Sequence, residues 1–303
     1  MERRNFIKNS IGAGIAIGFG LKTGIAGNLS KIKKDTYDMV AIKGGEAEDM
    51  FEKGIASLGG MKSFVKPNQT VVIKPNIAWD TPPENGANTN PKLVYQIVKQ
   101  CYDAGAKKVY VFDNTCNNWQ KCYKNSGIED AVKKAGGLIV TGKDGGMYQE
   151  VELKNAKKLY KTKIHELILS SDVFINVPVL KDHSSTTVSC AMKNLMGIVW
   201  DRNYYHKNGL SQCIADCPTY RKPDLNIVDA YRVMKTNGPR GISPDNCITM
   251  KAQLISTDII AIDTAAVQLF GMNPVDISYL SKGQSNGLGT MDLKSLNINR
   301  LSI

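Results

Sequence analysis

Short apolar segments alternate along this chain with longer segments of helical periodicity. Several of the short segments are continuously apolar, which is typical of strands that are covered on both faces. The pattern predicts strands at Tyr37–Lys43, Thr70–Lys74, Lys108–Asp113, Gly137–Val140, Val173–Val177, Leu225–Asp229 and Met250–Ser256. It predicts helices at Ala47–Leu58, Pro91–Ala104, Ile128–Ala135, Ile164–Leu169, Thr186–Val199, Ile259–Phe270 and Ile277–Lys282. We therefore expect one large α/β domain, with a mostly parallel sheet covered by helices on both faces.

Two long segments lack either periodicity. Pro75–Asn90 is rich in proline, glycine and asparagine, and Asp201–Pro223 is aromatic and basic. Loops of this length inside a compact domain are usually functional or mobile. Within the helices, Asp258 suits an N-cap, and Asp263 falls on an apolar face where a carboxylate must be paired or hydrogen-bonded.

The first 26 residues predict an export signal. Arg3-Arg4-Asn5-Phe6-Ile7-Lys8 matches the core of twin-arginine signals, and the glycine-interrupted apolar stretch Ile11–Ala26 follows it. That stretch is too short and too rich in glycine for a membrane span of about 20 apolar residues. We interpret 1–26 as a twin-arginine signal peptide and 27–303 as the α/β domain. The export machinery is then a partner, the periplasm the destination, and no stable membrane span remains after cleavage. A retained anchor or a chance arginine pair stays open.

Charge narrows the choice of ligand. The 303 residues carry a formal charge of +11, mostly from scattered lysines, and are 42% hydrophobic. Basic and aromatic residues do not alternate, and there is no helix-turn-helix or zinc-finger pattern, so we expect no nucleic-acid partner. A positive field suits a solvated lysine-rich surface or an anionic small molecule.

Polar side chains follow four of the predicted strands. In open α/β sheets, ligands bind beyond the carboxyl ends of the strands. The side chains that gather there are Lys74, Asn76, Asp113, Asn114, Lys181, His183 and Asp229. We expect them to line one crevice. An ordinary polar strand end is the alternative for any single residue.

The predicted helix Thr186–Val199 adds to this crevice. Its apolar stripe would face the core and leave Lys193, beside Asn194, on the free side. Its N-terminus near Ser184 would offer backbone N–H groups beside Lys181, an arrangement suited to anions. His183, next to lysines, should be neutral and able to act as a base, with Lys181 as a second catalytic candidate. His206 in the second long loop would cover the crevice.

The chain has seven cysteines, which could be disulfide-bonded, free or metal-binding. Cys116 and Cys122 are six positions apart and could form a disulfide, and Cys213 and Cys217 would share a helix face. Their spacings match no standard metal or iron–sulfur motif, so we predict paired or free thiols and no metal ligands. The sequence does not identify a cofactor.

Six segments of the chain carry a family resemblance. They are Val72-Ile73-Lys74-Pro75-Asn76, Asn176-Val177-Pro178-Val179-Leu180-Lys181-Asp182-His183, Met192-Lys193-Asn194-Leu195-Met196-Gly197, Val228-Asp229-Ala230, Asn237-Gly238-Pro239 and Asp258-Ile259-Ile260-Ala261-Ile262-Asp263. Together they resemble the domain of unknown function 362 family. The resemblance covers about 43–274 and implies an α/β domain without naming an activity. Some members carry added ferredoxin-type segments, and this chain lacks the cysteine run of those segments. Phosphate-binding P-loop, dinucleotide, zincin and serine-hydrolase motifs are also absent.

Three functions follow as hypotheses. The first is an exported enzyme that acts on an anionic small molecule, held by Lys74, Lys181 and Lys193, oriented by Asn76 and Asn194, with His183 moving a proton. The second is a periplasmic anion-binding protein without catalysis. The third is a metal or iron–sulfur carrier that uses its cysteines.

Export is testable directly. Changing Arg3 and Arg4 together to lysine should trap full-length protein in the cytoplasm, because the translocation machinery recognises the arginine pair. Cell fractionation measures the outcome. Normal export of this variant, or export that stops only when the general secretory route is blocked, would contradict the signal.

Overall fold

A computed structural model describes residues 37–303 of the chain. The predicted signal peptide lies outside these residues. Twelve strands form within them: β1 Met39–Lys43, β2 Thr70–Pro75, β3 Lys108–Val111, β4 Leu138–Ile139, β5 Tyr148–Glu152, β6 Lys161–His165, β7 Val173–Val177, β8 Val179–His183, β9 Thr187–Ser189, β10 Leu225–Met234, β11 Cys247–Ser256 and β12 Ile298–Ser302.

Ten of these strands form one mixed sheet in the order β12-β1-β11-β10-β7-β2-β3-β4, with β8 beside β10 and β9 beside β8. Strands β10, β7, β2, β3 and β4 are parallel neighbours, and β1 is parallel to β12. Along this order only β11 runs against its neighbours. The sheet is therefore mostly parallel, as predicted. Strands β5 and β6 form a separate antiparallel pair.

Helices cover both faces of the sheet. They are α1 Ala47–Ser57, α2 Pro91–Asp103, α3 Trp119–Asn125, α4 Ile128–Lys134, α5 Glu166–Ser170, α6 Ala191–Asn194, α7 Asn203–Lys207, α8 Leu210–Asp216, α9 Ile259–Phe270 and α10 Ser278–Ser285. Apolar residues of α1–α4 form one core, and those of α5–α10 form the other. Successive strand residues serve the two cores alternately: Val71 and Ile73 face the first, and Val72 faces the second. This explains why the strands are continuously apolar.

Local sequence signals placed several elements well. Strand β7 and helix α9 have the predicted bounds. Asp258 caps α9 as predicted, because its Oδ1 accepts from the backbone N–H groups of Ile260 and Ala261 at 2.9 and 2.8 Å. Asp263 is buried and accepts from the amides of Ala191 and Met192 at 2.6 and 2.9 Å, which anchors the start of α6 to α9.

The predicted helix Thr186–Val199 is wrong. Its first part is strand β9, which forms a hairpin with β8 in the register His183↔Thr187. Thr187 has a φ of 66°, which no α-helix accommodates. Its β-branched neighbours favour a strand, and the helix starts only at Ala191 and gives way to a 3₁₀ turn from Leu195 to Ile198. The helix N-terminus expected near Ser184 does not exist.

Other boundaries also differ. Ile164 and His165 end strand β6, and helix α5 begins after them with His165 as its N-cap. Strand β10 continues five residues past Asp229 because it pairs with the long strand β11. The loop Asp201–Pro223 contains α7 and α8. No helix between residues 37 and 303 is long and apolar enough to cross a bilayer.

Candidate functional site

A cavity of about 360 Å³ lies at the carboxyl ends of β2 and β3, beside the β8–β9 hairpin. Seven of the nine residues predicted for the crevice line it: Lys74, Asn76, Asp113, Lys181, His183, Lys193 and Asn194. They come from separate strands, the hairpin and helix α6. The parallel sheet gathers them because its strand ends share one edge.

A buried ion pair forms the floor of this cavity. Lys74 Nζ lies 3.0 Å from Asp113 Oδ1, and both side chains are about 2% exposed. Lys74 Nζ also donates to Asn194 Oδ1 at 2.7 Å, and Asp113 Oδ2 accepts from the backbone N–H of Ile77 at 2.8 Å. Burial lowers the pKa of Lys74, and the neighbouring Asp113 carboxylate opposes that change. The floor therefore holds a cation whose charge is already neutralised.

Gly197 permits this ion pair to form. A Cβ atom added at this position would lie 2.0 Å from Asp113 Oδ1 and 2.6 Å from Lys74 Nζ. Any larger residue would have to push the two charged groups aside. Glycine is required here for the close approach of its neighbours.

A chain of buried amides holds Asn194 in place. Its Nδ2 donates to Asn176 Oδ1 at 2.8 Å and to the carbonyl of Lys74 at 3.2 Å. Asn176 Nδ2 in turn donates to Asn226 Oδ1 and to the carbonyl of Ala191, both at 3.0 Å. Because the two N–H groups of Asn194 are donated to Asn176 Oδ1 and to the carbonyl of Lys74, its oxygen is left to accept from Lys74 Nζ. Asn194 therefore orients the floor lysine.

Lys181 is a buried lysine without an acidic partner in the described part of the chain. It is 1% exposed. Its Nζ donates to the carbonyl of Ala87 and lies 3.4 Å from Asn76 Oδ1. Burial lowers its pKa to about 7, with smaller contributions in the same direction from Lys193 and Lys74. Near pH 7 the amine is therefore present in both protonation states.

The charge of Lys193 is not neutralised within residues 37–303. Its Nζ forms no hydrogen bond or ion pair with another side chain there. It is half-buried and lines the cavity. Burial, with smaller contributions from the charges of Arg202 and Lys74, lowers its pKa to about 8. Lys193 thus presents a charge that a bound anion would compensate.

His183 is neutral in this environment, in line with the sequence argument. Burial lowers its pKa to about 3, and Lys193 and Lys181 contribute in the same direction. Its Nδ1 accepts from the backbone N–H of Ser185 at 3.0 Å, so we assign the proton of the neutral ring to Nε2. This arrangement favours a hydrogen-bond donor over the base that the sequence suggested.

Two predicted residues do not line the cavity. Asn114 is buried and its Nδ2 donates to the carbonyl of Val199 at 2.8 Å, because neighbouring residues after β3 point in opposite directions. Asp229 lies inside β10, accepts from the amides of Asn90 and Tyr231 at 2.7 and 3.0 Å, and lines a separate cavity of about 340 Å³. Burial raises the pKa of Asp229 to about 6. Asn114 and Asp229 therefore support loops.

The sequence analysis missed Arg202 as a residue of this site. Its Nη2 donates to the carbonyl of Thr115 at 2.8 Å, and its Nη1 lies 3.3 Å from Cys116 Sγ. His206 lines the cavity with it, as expected for a residue that covers the crevice. The basic composition of the second long loop pointed to this segment, but only its folding as α7 brings Arg202 to the cavity.

The four cysteines considered for a metal do not come together. Cys116 is exposed at the cavity, and Cys122 is buried in the core formed by α1–α4. Cys213 and Cys217 are buried in the other core. Within residues 37–303, no three His, Cys, Asp or Glu side chains are grouped to hold a metal ion. All seven thiols are unpaired.

Comparison with known proteins identifies the family. The family described as "Domain of unknown function (DUF362)" matches residues 71–268. The chain belongs to this family. It is 26% identical over 239 residues to a thylakoid-associated protein of Synechocystis sp., across 76% of this chain and 72% of that protein. The family match contains every residue predicted for the crevice.

Two solved structures are similar at low identity. One is a protein of Thermotoga maritima, with 10% identity, a TM-score of 0.47, and coverage of 74% of this chain and 59% of that one. The other is the lactate racemase apoprotein of Thermoanaerobacterium thermosaccharolyticum, with 15% identity, a TM-score of 0.44, and coverage of 72% and 54%. The DUF362 chain thus spans less than two thirds of either solved chain.

Lys193 and Lys74 should respond differently to mutation. Lys193→Gln should leave the free energy of unfolding within about 0.5 kcal/mol of wild type, because no partner is lost. It should weaken anion binding by about 1.5–3 kcal/mol, the range for hydrogen bonds to charged groups. Lys74→Met should destabilise the empty protein by about 3–5 kcal/mol, because it leaves the Asp113 carboxylate buried and unpaired.

Thermal melting with and without phosphate, sulfate and small carboxylates checks this. At least one anion should raise the melting temperature of wild type, and Lys193→Gln should lose that gain. Lys154→Gln, at an exposed site away from the cavity, is the control. If no anion stabilises wild type and Lys193→Gln melts several degrees lower, Lys193 is structural.

Proposed function

We propose that this DUF362 protein is an enzyme that binds a small anionic molecule in the cavity and moves a proton with Lys181. The single observation that carries the proposal is the imbalance of charge. Lys74, Lys181, Lys193 and Arg202 line the cavity with one carboxylate, Asp113, which is already paired with Lys74. A cavity of about 360 Å³ is at the small end of ligand sites, so it suits a small anion.

Lys181 has the properties of a proton-transfer group. A general base works best when its pKa is close to the operating pH, and burial lowers the pKa of Lys181 to about 7. A neutral amine has two N–H donors and one lone pair. The Ala87 carbonyl and Asn76 Oδ1 can accept from the two donors, which leaves the lone pair for a molecule in the cavity. Lys181 can thus remove a proton, while Lys193 and Arg202 hold the anion.

Export by the twin-arginine route remains part of the proposal. It rests on Arg3, Arg4 and the apolar stretch that follows, and it would place the activity in the periplasm. A periplasmic binding protein with the same cavity and no chemistry is the second candidate. The hydrogen bond from Lys181 to the Ala87 carbonyl favours this second candidate, because it gives Lys181 a structural role in holding the loop after β2.

Hydrogen–deuterium exchange distinguishes the enzyme from the binding protein. Wild type incubated in deuterated buffer with small carboxylates and phosphate esters should catalyse deuterium incorporation into at least one that binds, as followed by NMR. The rate should rise as pH increases through about 7, because only the neutral amine accepts a proton. Lys181→Arg keeps a cation that does not titrate, so it should abolish exchange. If anions bind but no deuterium is incorporated into them, the second candidate, a binding protein without catalysis, is supported.

The pKa of Lys181 also predicts a pH dependence of stability. The pKa is about 7 in the folded chain and 10.5 as the ordinary value, so between these pH values the unfolded chain binds a proton that the folded chain does not. The free energy of unfolding should therefore rise with pH across this window. Denaturant titrations from pH 7 to 10 should show this slope reduced in Lys181→Met and retained in Lys154→Met. Equal slopes in wild type and Lys181→Met would show that Lys181 titrates normally.

A further inference from the structure

The hydrogen-bonding capacity of the cavity floor is not fully used. Lys74 Nζ has three N–H groups. One is donated to Asn194 Oδ1, and Asp113 Oδ1 lies 3.0 Å from Nζ as its ion-pair partner. Asn76 Nδ2 has two N–H groups, and one lies 3.3 Å from Asn194 Oδ1. At least one donor on each residue thus remains open. Both residues line the cavity, and the shared contact with Asn194 keeps them together.

The floor is nevertheless a poor site for the anionic group itself. Asp113 cancels the charge of Lys74, and the carboxylate would repel a second anion placed against it. Two open donors over a neutralised ion pair fit an uncharged acceptor with two lone pairs. A carbonyl oxygen has this property, and it needs no acceptor in return.

Two cations without a carboxylate partner within residues 37–303, Lys193 and Arg202, lie closer to solvent than Lys74 and Lys181. They are half-buried, whereas Lys74 and Lys181 are buried. Arg202 uses one N–H of each terminal nitrogen on Thr115 and Cys116, which leaves others for a ligand. The cavity therefore has a neutral, donor-rich floor and a cationic rim.

We propose that the ligand is a small anion that carries a separate carbonyl group. Its carboxylate or phosphate group binds Lys193 and Arg202 at the rim, and its carbonyl oxygen accepts from Lys74 and Asn76 at the floor. This inference rests on the proposed function and names the substrate class of the same site.

The class matches the chemistry available to Lys181. Its lone pair takes a proton from the carbon next to the carbonyl, so the C–H bond breaks and a new N–H bond forms on Nζ. The electron pair of the C–H bond becomes the carbon–carbon double bond of an enolate, and the carbonyl π pair moves onto oxygen. Lys74 and Asn76 donate to that oxygen as its negative charge develops. The proton returns from the Lys181 ammonium in the reverse step.

Matched ligands test the inference by isothermal titration calorimetry. Pyruvate is compared with propionate, and acetonyl phosphate with propyl phosphate, so that each pair differs only in a carbonyl group against a methylene that accepts no hydrogen bond. We expect the carbonyl compound to bind at least about tenfold more tightly in at least one pair, as one additional hydrogen bond to a charged group implies. The pair that responds identifies the anionic group as carboxylate or phosphate.

Two variants assign the ends of the ligand. Asn76→Asp is isosteric and lacks the N–H donor, so the ratio of affinities within the responding pair should fall towards one. Arg202→Gln should weaken both members of the pair by a similar factor and keep their ratio. Circular dichroism and melting temperature confirm that each variant is folded.

Failure of the carbonyl site and failure of the proposed function give different results. If both members of each pair bind wild type equally, or if Asn76→Asp keeps the ratio, the carbonyl site is wrong and the anion site stands. If neither pair binds and no other anion stabilises the protein, the proposed function fails together with this inference.

Discussion

The ion pair between Lys74 and Asp113 is the constraint on which the site depends. It joins the ends of two neighbouring parallel strands inside the protein, where neither charge would be stable alone. Asn194 is held beneath it by Asn176, and Gly197 leaves the space that the two charged groups occupy. The 3₁₀ turn that carries Gly197 must therefore pack against the strand ends for the pair to form. The ion pair and the hydrogen bond from Lys74 to Asn194 thus connect the ends of β2 and β3 with helix α6.

This pairing divides the cations of the cavity into two kinds. Lys74 is neutralised, whereas Lys181 and Lys193 face the cavity without a carboxylate of their own in the described chain. Burial then lowers the pKa of Lys181 to about 7 and that of Lys193 to about 8. One lysine thus maintains the structure and the others retain charge and reactivity for a ligand. Perturbed pKa values in a cleft are a feature of functional sites.

Buried aspartates perform related structural work elsewhere in the fold. Asp263 holds the amides that begin α6, and Asp229 holds the end of the loop after β2. That loop provides the Ala87 carbonyl to Lys181, so its position matters to the reactive lysine. These carboxylates hold backbone amides where helix or strand hydrogen bonds are absent.

The sequence by itself determined the α/β class, the bounds of β7 and α9, and seven of the nine residues that the structure brings to one cavity. These follow from hydrophobic periodicity and from the rule that parallel strand ends meet at one edge, both of which are local or nearly so. Pairing between distant segments decided the rest. Strand β11 extended β10 past Asp229, and the β8–β9 hairpin replaced the start of the predicted helix. The roles of Lys74 and Arg202 depend on which partners lie within about 3 Å, and those partners are remote in sequence.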